Sequence, residues 1–275
     1  AKPGHGGILP KAKISEAIAE ARGLPYPPVS DCNSPSKHSA FDGPEGLCEF
    51  IGTLRELSGG KPIGIKMCVG QPAQFAELCQ AMIKTNITPD FITLDGAEGG
   101  TGAAPPEFSN SVGMPMRHGL AIIHSILIGC NLRDRIKIIA AGKVLTGFSI
   151  VEALAIGADL TNSARGMMFA LGCIQALKCN TNKCPTGITT LDKDLMGGLV
   201  IPTKAERVHT FHRKTVEVAC EIIGSMGLDC PSKVNARHIF KTVSPHEARP
   251  LLTMYPYLGV KPGALLSGDA GFPLQ

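Results

Sequence analysis

The chain has 275 residues, enough for one large domain with a sizeable core. It is 44% hydrophobic and 18% charged, with a net charge of +4, no cationic run, no Trp and 5% aromatics. Those values exclude a disordered chain and argue against a nucleic-acid-binding surface. No stretch is apolar enough to span a membrane, and seven of the ten cysteines are scattered without a disulfide framework, which fits a reducing, cytoplasmic compartment.

The chain opens AKPGHGG without a Met or a signal-like segment, so residues upstream are expected. Ile14, Ala17, Ile18 and Ala21 follow helical spacing and predict a helix over 12–22. The Pro- and Ser-rich stretch GLPYPPVSDCNSPSKHSAFDGP reads as a long functional loop. Leu47, Phe50, Ile51, Leu54 and Leu57 mark a second helix. Alternating units follow. PIGIKMCVG reads as a strand before a helix near 72–85. FITLDG is a strand, then a Gly-rich loop, then a helix near 117–130. IKIIAAG precedes the helix GFSIVEALAIG, and ADLTNSARG closes the series as a strand and turn.

Alternation of this kind predicts a parallel α/β sheet, with long Gly-rich loops after the strands where a (β/α)8 TIM barrel keeps its functional groups. Only four strands are visible, so the expectation is the C-terminal half of such a barrel, the first half lying upstream or on a partner chain; an open doubly wound sheet is the alternative. The barrel part is assigned to 1–200 and a helical, irregular extension to 201–275. Within it, Val208, Phe211, Val218, Ala219, Ile222 and Met226 mark a long helix ending at Gly227, and the Pro- and Gly-rich tail wraps a surface or frays.

Cys173, Cys179 and Cys184, the last followed by Pro185, lie within twelve residues in GCIQALKCNTNKCPTG. Three clustered thiols suit one soft metal centre, and Pro after the final cysteine is familiar from iron–sulfur ligation. Zinc needs a fourth donor, the nearest downstream His being His209; three buried cysteines acting as small hydrophobes is the plain alternative. Lys66 stands inside an apolar strand, where a charge is costly unless paired, and reads as a cation facing the mouth of the barrel. Gly142, and Ser163, Ala164 and Arg165, close the last two strands where phosphate-binding barrels hold a phosphate. Asp95, Gly96 and the GGTGA run from Gly99 to Ala103 are candidates to line a cofactor.

KPGHGGILP, FITLDGAEGGTGAAP, NLRDRIKIIAAGKVLTG and GCIQALKCNTNKCPTG together resemble the FMN-binding domain of glutamate synthase, and more closely the stand-alone glutamate synthase family proteins. The resemblance runs from Lys2 to about Thr190. It implies an FMN-carrying (β/α)8 barrel beside a 3Fe–4S cluster. Cys173, Cys179 and Cys184 match the cluster ligands. Lys66 matches a strand lysine near the pyrimidine edge of the flavin. Gly142, Lys143, Ala164 and Arg165 fall at the FMN phosphate loops, and Lys2, Pro3, Gly4 and Arg22 at the 2-oxoglutarate site.

Two departures weaken that substrate site. Ile8 stands where the family has Gln, and Asp42 where it has Ser. The implied function is FMN-mediated reduction of an imine such as 2-iminoglutarate, with electrons from ferredoxin or an NAD(P)H-dependent subunit. An N-methylglutamate-forming subunit, or an electron-transfer or scaffold subunit without an intact substrate site, are the rivals.

Overall fold

The computed structural model describes residues 8–33, 35, 37–99 and 106–268. A two-residue pair, β1 (Ile8–Leu9) against β2 (Cys32–Asn33), brackets the helix α1 (Glu16–Arg22). The predicted helix over 12–22 is shorter in fact. Lys11–Lys13 form a 3-10 turn, and Ser15 restarts the chain as the N-cap of α1, its hydroxyl accepting from the Ile18 N–H.

The core unit follows as α2 (Gly43–Leu57), β3 (Gly64–Met67), α3 (Pro72–Thr85), β4 (Phe91–Asp95), α4 (Met116–Gly129), β5 (Lys137–Ala141), α5 (Gly147–Ile156) and β6 (Leu160–Asn162). β3 to β6 form one parallel sheet in the spatial order β3-β4-β5-β6. Each strand therefore lies beside its predecessor, and no reversal of order occurs among the described strands. A doubly wound sheet needs that reversal; a barrel wall does not. The crossover helices pack on one another in sequence, α2 on α3, α3 on α4 and α4 on α5. The sheet is thus a partial, barrel-like α/β arc.

Its core explains itself from sequence. Ile92 and Leu94 of β4 and Ile138 and Ala140 of β5 are buried in one cluster with Leu120, Ile123, Ile126 and Leu127 of α4. Apolar runs in these strands reflect burial on both faces, as parallel sheets require.

Beyond β6 come α6 (Arg165–Leu171), the short α7 (Lys193–Met196) and the long α8 (Ile201–Ser225), which packs on α5 and α6. The tail departs from the helical, irregular extension expected. It holds a hairpin, β7 (Phe240–Ser244) with β8 (Glu247–Pro250), then α9 (Leu251–Met254). Val234, Ala236, Ile239, Leu251 and Tyr255 join the same core cluster as the sheet. One buried carboxylate ties the tail down: Glu152 of α5 pairs with Arg117 of α4 at 2.6 Å and with Lys241 of β7 at 2.5 Å. The last turn docks on the end of α4, where the N–H groups of Gly263 and Leu265 donate to the Ile128 and Gly129 carbonyls. The Gly129 carbonyl is one that a helix C-terminus otherwise leaves unpaired, while Ile128 also accepts from the Asn131 N–H.

The N-terminal end of the sheet is a closed polar network. Arg133 donates from Nε to His124 Nδ1, from Nη1 to the Ile136 carbonyl, and from Nη2 to the Gly157 carbonyl and Asp159. Asp159 also accepts from the Ile138 N–H. Burial, with the Arg133 charge beside it, pushes the His124 imidazole down to about 4. Gly157 (φ 123°) passes so close that a Cβ there would lie 2.4 Å from the His124 ring. Asp90 repeats the pattern at β4, accepting from the Ile63 N–H and Arg55. Partial burial alone raises its carboxyl, yet those donors hold it below the usual range.

Candidate functional site

At the opposite, C-terminal end, Lys66 of β3 and Asp95 of β4 pair at 2.9 Å. Register explains the contact: Lys66 lies opposite Thr93, and Asp95 is two residues further along the same face. The lysine side chain is 64% exposed and the carboxylate 30%, so the pair contributes at most about 1 kcal/mol to stability. Its effect is to orient a cation. Lys66, expected from sequence to face the mouth of a barrel, lies in the last half of β3. The partner carboxylate becomes evident only from the register.

The loop after β4 turns back over the strand ends. Ala97 donates to the Met114 carbonyl, Met114 to the Val69 carbonyl, and Asn110 to the Ala97 carbonyl. The Cys68 thiol lies within 3.6 Å of the Val69 carbonyl and 3.7 Å of the Met114 carbonyl, and burial pushes its pKa up. Glu98 Oε1 accepts from the Met116 N–H at the start of α4, 2.7 Å away. Its Oε2 is buried without a hydrogen-bond partner. Side-chain-free backbone makes room for that oxygen. A Cβ on Gly96 would sit 1.8 Å from Glu98 Oε2, and one on Gly142 would sit 2.9 Å from it. Glycine at both strand ends is therefore a packing requirement. Glu98 escaped sequence reading, and its only signal was an acid set between glycines after a strand.

After β5, Gly142 leads into Lys143, which is left-handed (φ 49°) and whose Nζ donates to Asn110 Oδ1 at 3.3 Å. Thr146 and Ser149 form a reciprocal capping box at the start of α5. After β6, the Ser163 hydroxyl donates to the Val144 carbonyl at 2.6 Å, tying the last two strand ends together; Ala164 is exposed and Arg165 half-buried. Lys66, Asp95, Gly96, Gly142, Lys143, Ala164 and Arg165 thus all lie at one end of one sheet. The arrangement presents cations and glycine backbone at that end of the sheet, a donor set that suits an anionic ligand.

Arg22 is the exposed last residue of α1. Asp42 is exposed at the start of α2, 3.7 Å from Lys37. Lys2, Pro3, Gly4 and the 100–103 part of the GGTGA run lie outside the described residues, and Ile8 is described only as part of β1.

The three cysteines share one loop, each half-buried. Cys173 follows Gly172, the C-cap of α6, and donates its N–H to the Met168 carbonyl. Lys13 pins the loop by donating to the Cys179 and Thr189 carbonyls at 2.8 and 2.9 Å. Gln175, Leu177 and Asn182 are left-handed. Burial alone raises the Cys184 thiol, but hydrogen bonds from the Thr186 hydroxyl and the backbone at Thr189 and Thr186 bring it down to about 6. The donor chemistry therefore suits a soft metal, since thiolate is the ligating form. The geometry is not gathered for one: among the described residues no three His, Cys, Asp or Glu side chains form a metal-holding group.

No helix among the described residues is long and apolar enough to cross a membrane. The pattern of the conserved region in glutamate synthase matches residues 1–229. The glutamate synthase large subunit-like protein YerD of Bacillus subtilis is 40% identical over 235 residues, covering 86% of this chain and 44% of that protein. An archaeal-type glutamate synthase (NADPH) of Thermotoga neapolitana is 31% identical over 264 residues, 95% of this chain and 50% of its own length. The glutamate synthase (NADPH) large chain of Azospirillum brasilense is 30% identical over 238 residues, 86% of this chain and 15% of its own. The chain thus spans half or less of the length of these relatives. With a match that covers most of its residues and the strand-end loops described above, the chain belongs to the glutamate synthase family.

Proposed function

We propose that this chain forms the cofactor-binding half of a glutamate-synthase-like oxidoreductase, a (β/α)8 barrel completed by further strands, that reduces an imine such as 2-iminoglutarate. The observation that carries the reading is the Lys66–Asp95 pair at the C-terminal ends of adjacent parallel strands, where barrel enzymes place their chemistry. FMN fits the mouth through its negative phosphate and its planar ring. When bound it supplies two-electron hydride chemistry. The protein supplies position and charge. Asp95 fixes Lys66 so that its ammonium stabilises negative charge developing on a ring or carbonyl nearby. Gly142, Lys143, Ala164 and Arg165 line the place for the phosphate. Lys2 and Arg22 are the cations proposed for the carboxylates of 2-oxoglutarate. Electrons would come from ferredoxin or an NAD(P)H-dependent subunit, in keeping with relatives named for NADPH and for ferredoxin.

Cys173, Cys179 and Cys184 are proposed to hold a 3Fe–4S cluster, a one-electron carrier. Shared loop, thiol chemistry and the lowered Cys184 pKa support this.

The test is the visible spectrum and acid-released cofactor of the anaerobically purified full-length protein. FMN at about one per chain supports the reading, and FAD or no flavin overturns it. Iron and acid-labile sulfide that survive Cys173→Ser, Cys179→Ser and Cys184→Ser alike would remove the cluster assignment.

A further inference from the structure

The loops after β4 and β5 are joined by a side-chain hydrogen bond, Lys143 Nζ to Asn110 Oδ1. Both residues are left-handed, Asn110 at φ 64° and Lys143 at φ 49°. Asn tolerates that conformation better than most residues, whereas Lys has no such excuse. Strain of this kind persists where surrounding structure over-determines it, and it concentrates at ligand sites. Here the surroundings are visible. The Asn110 N–H is anchored on the Ala97 carbonyl at 2.7 Å, and Ala97 is anchored on Met114, so Asn110 is held at a fixed place over the ends of β3 and β4. Lys143 immediately follows Gly142, whose Cα backs onto Met116 and Glu98.

We infer that Asn110 is a positioning residue for a phosphate: it holds the Lys143 ammonium at the mouth of the sheet, ready for the terminal phosphate of a flavin nucleotide. The inference rests on the FMN reading above and adds a residue to it. A lysine ammonium has three donors and takes no part in a fixed fork, so an exposed lysine is a poor phosphate clamp unless something orders it. Asn110 accepts one donor and leaves two for the ligand. Ordering the flexible stem beforehand removes an entropy cost from binding. Both side chains are exposed, so the contact adds little to folding and its effect falls on the ligand.

The experiment compares FMN with riboflavin, which lacks the phosphate, by flavin fluorescence titration of the deflavinated full-length protein. Asn110→Gly deletes the amide and keeps the left-handed backbone. It is expected to weaken FMN about three- to tenfold and to leave riboflavin unchanged. In a Lys143→Met background the same change should have no further effect on FMN, because Asn110 acts through that lysine. Equal losses for the two ligands, an unchanged FMN affinity, or full additivity with Lys143→Met each overturn the inference. A wild-type protein that binds FMN no better than riboflavin would instead overturn the phosphate reading, and this proposal with it.

Discussion

The two ends of the parallel sheet are built on opposite principles. At the N-terminal end Asp90 and Asp159 are both matched. Arg133 makes four hydrogen bonds, to His124, Ile136, Gly157 and Asp159, and Asp90 and Asp159 each accept both a guanidinium and a backbone N–H. At the C-terminal end the charges are half-exposed, one oxygen of Glu98 has no partner, and Asn110 and Lys143 sit in strained backbone. One end has spent its hydrogen-bonding capacity on the fold, and the other has kept it in reserve. Barrel-type sheets separate stability from chemistry along the strand direction, and this arc does so with different residues at each end.

Arg133→Ala should show the contrast most strongly. It removes the guanidinium from Asp159, which keeps the Ile138 N–H, leaves the Ile136 and Gly157 carbonyls without that donor, and is expected to cost about 3 kcal/mol in urea unfolding. A loss below about 1 kcal/mol would show that the network is decorative.

Acid should act on the same end. The folded His124 imidazole titrates near 4, while the unfolded one titrates near the ordinary 6.5. As pH falls below about 6.5 the unfolded chain takes up the proton first. Stability present above that value is therefore lost down to about pH 4, by roughly 3 kcal/mol. His124→Gln, which keeps an acceptor for Arg133, should flatten this part of the pH profile of unfolding.

Effects at the C-terminal end should be smaller on stability. Thr146→Ala removes the cap of α5 and is expected to cost about 1 kcal/mol by thermal or urea unfolding. Lys66→Met should change stability by less than about 1 kcal/mol. It should nevertheless shift the absorption and weaken the binding of the flavin in the full-length protein. A variant that unfolds readily while leaving the flavin spectrum untouched would invert the comparison.

Sequence reading reached the alternating units because their strands are apolar on both faces and their helices carry a regular buried stripe. Both signals survive without coordinates. It located Lys66 because a charge inside an apolar run has few explanations. It missed Asp95 as that lysine's partner, Glu98 as a helix cap and Asn110 as a contact of Lys143, because each depends on strand register or on how a loop returns. Helix α8 was placed from Val208 onward and begins at Ile201; its first turns are exposed and carry no apolar periodicity, although Pro202 marks the start. The β7–β8 hairpin was invisible for a related reason. FKTVSPHEARP is mostly solvent-facing, so it shows no alternation, and its main tie to the body is Lys241 reaching a glutamate in α5.

The docking of Gly263 and Leu265 on the last carbonyls of α4 bears on how the chain is made. Helix α4 lies at the centre of the core, yet the groups that finish it are translated about 130 residues later. At ordinary ribosomal rates that interval is roughly 7–30 s. Through it, this largely buried helix waits with the tail residues of its core cluster, Leu251 and Tyr255, still unmade. Synthesis that stops short of Leu265 would leave the Gly129 carbonyl without that donor.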